Sequence, residues 1–218
     1  MVFLYSKFSG DEIIGVNESQ FKHLKARRLN LGDRIDVRNL KDGYNYIYEI
    51  KKIDRKKAFL ELVFKHSVEK IDHFLTLAWA VVDPNVIEKT LPYLNEMGVG
   101  KLILVYSDFS QRNFKFDTDR MERILISSSQ QCGRNSVMET EIFNDIDQFI
   151  SKYNNVALID FDGEKFKKPA FDEIFFIGPE GGFSDREKQK FRKKYALNLP
   201  YILRSNTAIL SVASKVLL

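Results

Sequence analysis

Residues 174–187 read IFFIGPEGGFSDRE. Four apolar residues, Ile174 to Ile177, predict a buried strand. The chain then breaks at Gly178, Pro179, Glu180, Gly181 and Gly182, so that three of its 11 glycines fall within five positions. Ser184 and Glu187 follow at capping-box spacing, which predicts a helix start. The order is strand, glycine-rich loop, helix N-terminus. In open α/β sheets ligands bind beyond the carboxyl ends of the strands. Glycines there let the backbone approach a ligand and offer its N–H groups. A plain tight turn accounts for the same residues, because short glycine motifs are weakly specific.

Working outward, the chain after residue 70 alternates between the two periods. His73–Val82 reads as an apolar strand. Asp83-Pro84 reads as a cap and first helical position, with a helix to Met97 that stops at Gly98. Pro92 inside it predicts a kink or an early break. Lys101–Tyr106 follows as a strand and Asp117–Gln131 as a helix. Val137–Phe143, Asp145–Tyr153 and Asn155–Asp160 read as strand, helix and strand. Beyond the glycine loop the pattern predicts a helix to about Tyr195, a strand near Leu199–Leu203 and a helix to the C-terminus. Such alternation predicts an α/β fold: a largely parallel sheet with helices on both faces.

Residues 1–70 read differently. Val2–Tyr5 is a short strand candidate, and Ser19 a cap for a helix over Gln20–Leu29. Arg34–Arg38, Tyr44–Ile53 and Ala58–Phe64 read as strands, with a hairpin turn at Lys41-Asp42-Gly43. Short strands with turns between them predict a small β-barrel. The polar stretch Lys65–Lys70 separates the two patterns and places the domains at 1–69 and 70–218.

Composition excludes several classes. The 218 residues are 44% hydrophobic and 29% charged, enough for a buried core. No apolar run is long enough to span a bilayer, and the N-terminus lacks signal-peptide order. One cysteine, Cys132, excludes an internal disulfide and a cysteine-rich metal site; His23, His66 and His73 form no ligand spacing. A cytoplasmic protein without a structural metal is expected. Net charge is +4, unevenly spread: residues 1–70 carry 15 Lys and Arg against 10 Asp and Glu, residues 71–218 carry 19 against 20. The excess suggests an N-terminal surface for a polyanion, or simply a solvated basic face.

Paired segments carry a resemblance. Ile177–Ser184 (IGPEGGFS) followed by Ile202–Ala208 (ILRSNTA) resembles the 16S ribosomal RNA uracil-N3 methyltransferases of the SPOUT class. Weaker matches keep the family's order: Glu96-Met97-Gly98-Val99, Ser110-Gln111-Arg112, Gln131-Cys132-Gly133-Arg134, and His23-Leu24 with Arg28 to Asp33. The chain departs from the pattern at Asn206, where the family carries glutamate, and at Leu199-Pro200-Tyr201, where it carries Gly and Arg. A lysine common before the Glu96 segment appears as Tyr93 or Leu94.

The resemblance implies a trefoil-knotted parallel sheet, a PUA-like N-terminal barrel, S-adenosyl-L-methionine as methyl donor and a homodimer. It also implies a uridine of 16S rRNA, naked or in the assembled small subunit, as substrate. Carried onto this sequence, the methyl-donor loops hold Leu158 and Asp160; Ile177, Gly178, Gly181 and Gly182; and Leu197, Leu199, Ile202 and Leu203. Arg204 is the candidate for orienting the base or stabilising a uracil anion, or else a salt-bridge partner of Glu180. Glu180 is the candidate base, or a loop-holding carboxylate. Arg112, Arg134 and the helical Lys22, Lys25, Arg27 and Arg28 are the RNA-contact candidates. Two other readings use the same residues: a catalytically inactive SPOUT-like RNA-binding protein, consistent with Asn206, and a nucleotide-binding regulator. The latter lacks the G-K-[ST] ending of a phosphate loop.

Overall fold

The computed structural model describes residues 2–69, 71, 74–112, 115–166 and 172–218, the side chain of Ser19 excepted. The boundary expected at Lys70 and the strand start expected at His73 lie outside these residues. The chain divides into two compact units: Met1–Ile71 with Ile126–Val137, and Asp72–Leu125 with Met138–Leu218.

The first unit is built on a five-stranded sheet in the order β1-β3-β4-β5-β2. The strands are β1 (Leu4–Tyr5), β2 (Ile13–Val16), β3 (Arg34–Arg38), β4 (Tyr44–Ile53) and β5 (Ala58–Ser67). The barrel expected from turn spacing is not closed in the described pairings. β1, only two residues long, pairs with β3, and β2 pairs with β5, so both remain edges. The sequence did not separate β2, whose IIGV pattern is interrupted by Gly15. α1 (Glu18–Ala26) begins two residues before the expected helix start. Asn17 and Gln20 form the capping box, and the Gln20 amide donates to the Tyr5 carbonyl at 2.7 Å. Phe21 and Leu24 of α1 enter a core with Val37, Tyr48, Ile50 and Leu60. Buried Arg38 lies over the Phe3 ring and donates to Asp36 and to the Gly133 carbonyl.

The second unit is a six-stranded sheet, β11-β9-β10-β6-β7-β8, in which every described pairing is parallel. Its strands are β6 (Thr76–Ala80), β7 (Lys101–Val105), β8 (Glu139–Phe143), β9 (Val156–Lys165), β10 (Ile174–Ile177) and β11 (Lys193–Ala196). Five helices accompany them: α2 (Pro84–Met97), α3 (Thr118–Cys132), α4 (Ile146–Lys152), α5 (Asp185–Lys188) and α6 (Ser205–Leu217). The second half of α3 groups with the first unit. Parallel strands buried on both faces need apolar residues at every position, and β10 is buried throughout. On one face Ile146 and Phe149 of α4 join Ala78, Ile103, Leu158 and Phe176. On the other, α6 packs against β6, β10 and α2.

Three expectations change. α2 runs unbroken through Pro92, from Asp83 as cap to a left-handed Gly98. The ring removes one helical donor, but tertiary packing of Ile87, Leu91 and Leu94 holds the turn. The helix after Ser184 is a single turn ending at Lys188, and Lys193–Ala196 is a strand instead. The strand expected near Leu199–Leu203 does not form: Asn198 turns left-handed at φ 54°, and Pro200 lacks a donor.

β11 joins the sheet through a register shift between Lys194 and Tyr195, and Tyr195 packs its backbone over Gly163 of β9. A Cβ on Gly163 would stand 2.6 Å from the Tyr195 Cα. Gly163→Ala is therefore expected to destabilise the domain by about 1–3 kcal/mol, as overpacking does, and to free β11. Thermal melting and amide exchange at Tyr195 and Ala196 measure both effects.

Candidate functional site

The register places Ile159, Ile177, Trp79 and Leu104 in one row across the second sheet. The residues just beyond that row form its carboxyl edge. There β10 gives way to Gly178–Gly182, and β7 to Ser107–Ser110. The edge is where ligands settle in open parallel sheets.

The glycine loop is held at both ends. Ser205, first residue of α6, donates to the Gly178 carbonyl at 2.5 Å and accepts from the Trp79 indole N–H at 2.6 Å. Trp79 and Ser205 are both buried. At the other end Phe183 folds back onto Phe176, with ring centroids 4.8 Å apart. Between these anchors Gly182 adopts φ 70° and donates to the Pro179 carbonyl. A Cβ on Gly178 would meet the Phe183 ring at 3.1 Å, so any larger residue there has to displace that ring by a few tenths of an ångström.

A second network joins the loop to the segment after β7. The Glu187 carboxylate, 3% exposed, accepts from the Asp108 and Ser184 backbone N–H groups at 2.7 and 2.9 Å. Asp108 in turn accepts from the Ser184 hydroxyl at 2.6 Å and from Arg186 at 2.7 Å. The Ser184 hydrogen bond, with help from Arg186 and Arg112, holds the Asp108 carboxyl below its ordinary pKa. Ser107 and Ser110, both buried, hydrogen-bond to each other and set the turn. Asp160 pairs with Lys188 at 2.7 Å, and that contact raises the lysine pKa.

The sequence candidates are distributed as follows. Gly178, Gly181 and Gly182 form the loop. Leu158 and Ile177 are buried strand residues, so only their backbone faces the edge. Asp160 is not a loop residue, because β9 continues to Lys165. Leu197 and Leu203 are half-buried, while Leu199 and Ile202 are 53% and 81% exposed. Arg204 caps α6 rather than following a strand; it and Glu180 are exposed and, among the described residues, form no ion pair with each other. Arg112 is exposed near Asp108. Arg134 belongs to the first unit, donates to Ser136, and has its pKa depressed to about 10 by burial. Lys22, Lys25, Arg27 and Arg28 are exposed at the end of α1. Trp79, Ser205 and Asp108 were not legible as site residues; Glu187 was visible as a capping-box partner alone.

A ligand recognised by backbone groups needs backbone groups left over. Between 197 and 203, among the described residues, no N–H or C=O makes a backbone–backbone hydrogen bond. Among the described residues no three His, Cys, Asp or Glu side chains are grouped to bind a metal, and no helix is long and apolar enough to cross a membrane.

Two family models match the chain: an RNA methyltransferase domain over residues 69–217, and an RNA methyltransferase PUA domain over 16–63. Over 222 residues, 98% of each chain, the sequence is 40% identical to ribosomal RNA small subunit methyltransferase E of Helicobacter pylori. The chain belongs to the ribosomal RNA small subunit methyltransferase E family. A member from Aquifex aeolicus is 26% identical over 98% of both chains. The fold recurs in a probable rRNA-methyltransferase from Porphyromonas gingivalis (TM-score 0.82, 22% identity, covering 98% of this chain and 96% of that one). It recurs in the methyltransferase E of Neisseria gonorrhoeae bound to S-adenosyl methionine (TM-score 0.80, 19% identity, 98% and 95%).

Ser205→Ala removes the shared partner of a buried indole N–H and a buried-edge carbonyl. A loss of about 1–3 kcal/mol for each group left unsatisfied is expected, read by denaturant unfolding. The Asp108 contacts give a pH signature. A folded pKa below the unfolded value of roughly 3.9 stabilises above that value and is lost as pH falls through the folded one. Stability measured by denaturant unfolding is expected to fall through that acid window, and Asp108→Asn to remove the part of the fall that the Asp108 carboxylate contributes.

Proposed function

We propose that this protein transfers a methyl group from S-adenosyl-L-methionine to N3 of one uridine in 16S rRNA. The observation that carries the reading is the 40% identity over 98% of the chain to a methyltransferase E, with the loop and the Arg204 segment both at the carboxyl edge. The methyl donor supplies a sulfonium leaving group. The chain's own task is alignment, which contributes roughly 7–11 kcal/mol in favourable cases. Gly178–Gly182 and residues 197–203 provide the backbone slot, and the apolar side chains of Leu197 and Leu203 narrow it. Arg204, with its exposed guanidinium, stabilises the negative charge that develops on the uracil as N3 loses its proton. Asn206, in the first turn of α6, cannot accept that proton; Glu180, an exposed carboxylate within the loop itself, is the candidate base. The base to be methylated reaches the site by leaving its stack, while Lys22, Lys25, Arg27, Arg28, Arg112 and Arg134 hold phosphates.

The same reading includes an RNA-binding domain over 1–69 and a methyltransferase domain over 70–218. It also includes the trefoil knot of the class, residence in the cytoplasm with the ribosome, and a homodimer. Two features of the second unit support the dimer. Tyr93, Leu199, Tyr201 and Ile202 are exposed at 55%, 53%, 81% and 81%. A groove of about 740 Å³ lies between α2, α6 and Leu197–Leu199.

Mass spectrometry of 16S rRNA from cells lacking the protein is expected to show one uridine short of a methyl group, restored by the wild-type chain. An unchanged modification pattern overturns the reading and favours an RNA-binding protein without activity. Arg204→Ala is expected to lower turnover about 10²–10³-fold, as loss of one charge-stabilising donor does, with S-adenosyl-L-methionine affinity nearly unchanged by calorimetry.

A further inference from the structure

The first unit carries a groove of its own, about 290 Å³ in volume. Phe21, Leu24, Leu29 and Ile53 supply its apolar walls, and the exposed Lys25, Arg28 and Asn30 its polar ones. The volume is at the small end for ligand sites, closer to one planar ring system than to a peptide. Lys25 Nζ lies 5.0 Å from the Phe21 ring centroid.

The surroundings are cationic. The turn between β4 and β5, with the strand end that contributes Ile53, carries Lys51, Lys52, Arg55, Lys56 and Lys57 against Asp54. Lys51, Lys52 and Lys56 are ion-paired with Glu49, Asp54 and Glu18. Among the described residues Lys22, Lys25, Arg27, Arg28, Arg55 and Lys57 form no ion pair.

Arg28 stands where the backbone disfavours it. The end of α1 is a Schellman turn, with Leu29 N–H on the Leu24 carbonyl and Arg28 N–H on the Lys25 carbonyl. The position that usually holds glycine in this turn holds Arg28, at φ 56°. The Asn30 amide fixes it by donating to the Arg28 carbonyl at 3.0 Å. Strain kept at an exposed cation beside an apolar groove points to a role in binding rather than in folding.

We propose that this groove receives one unstacked base of single-stranded RNA, with the adjoining phosphate held by Lys25 and Arg28. The proposal rests on the reading that the α1 face contacts RNA, and adds a base subsite to it. Apolar walls that offer no hydrogen-bonding groups take any base, so the subsite contributes affinity without sequence preference.

The test uses the full chain and two probes: a short oligouridylate, and a ribose-phosphate oligomer of equal length and charge lacking bases. Fluorescence anisotropy is expected to give about tenfold tighter binding of the oligouridylate. Ile53→Ala, which removes an apolar wall at a position already 40% exposed, is expected to cut that preference several-fold and leave the salt dependence intact. Arg28→Gly is expected to weaken both probes equally and reduce the salt slope, while raising the melting temperature. Equal binding of the two probes by the wild type, or a preference undiminished in Ile53→Ala, overturns the subsite and leaves the basic face standing. Salt-independent binding, or none, overturns the basic face itself. Arg28→Gly with unchanged affinity removes Arg28 from the phosphate contact and overturns the proposal as stated.

Discussion

One short chain of hydrogen bonds governs the catalytic unit: Trp79 indole N–H to Ser205 hydroxyl, and Ser205 hydroxyl to Gly178 carbonyl. It joins the end of a central strand, the start of the last helix and the mouth of the glycine loop. Trp79 and Ser205 are withdrawn from water and the Gly178 carbonyl partly so, which makes the buried groups costly to leave unpaired. Ser205 can serve both partners because a hydroxyl donates one hydrogen bond while accepting another. With that residue fixed, the segment 197–204 is anchored at both ends, by α6 after it and by β11 before it.

The rest of the edge is built in the same way. Glu187 uses both carboxylate oxygens on backbone donors of two different loops. Asp108 answers with contacts to Ser184 and Arg186. The loop's shape is therefore set largely by side chains outside it. Phe176 is the apolar counterpart, since Phe149, Phe183 and Phe191 all pack around its ring. A site made of backbone needs such a rigid frame, because backbone groups have no rotamers with which to adapt.

The two units divide the physical work. The second buries its strands on both faces and presents main-chain groups. The first keeps a smaller core and presents charge, at a helix end whose left-handed arginine is stabilised by a neighbouring amide rather than by its own preference. The proposed base subsite fits that division, since RNA offers phosphates to a cationic rim and unpaired bases to an apolar groove.

Much of this was legible in the chain. Period-2 and period-3.6 stretches indicated the alternation of strands and helices, Asp83-Pro84 and Gly98 bounded α2, and the pairing of GPEGG with ILR indicated the family. Local signals failed where distant residues decide. The capping box at Ser184 and Glu187 marks where a helix starts but not where it stops, and Lys193–Ala196 becomes a strand because β9 offers an edge and Gly163 leaves room for it. Pro92 reads as a breaker until burial of its neighbours outweighs one missing donor. The closure of the N-terminal sheet depends on whether β1 and β2 meet, which no turn spacing fixes. The Trp79–Ser205 contact spans 126 residues of sequence. Periodicity and caps are short-range properties, so the sequence by itself determined the elements and the glycine loop. Which buried donor finds which acceptor is settled only when the sheet brings them together, and that decided the shape of the site.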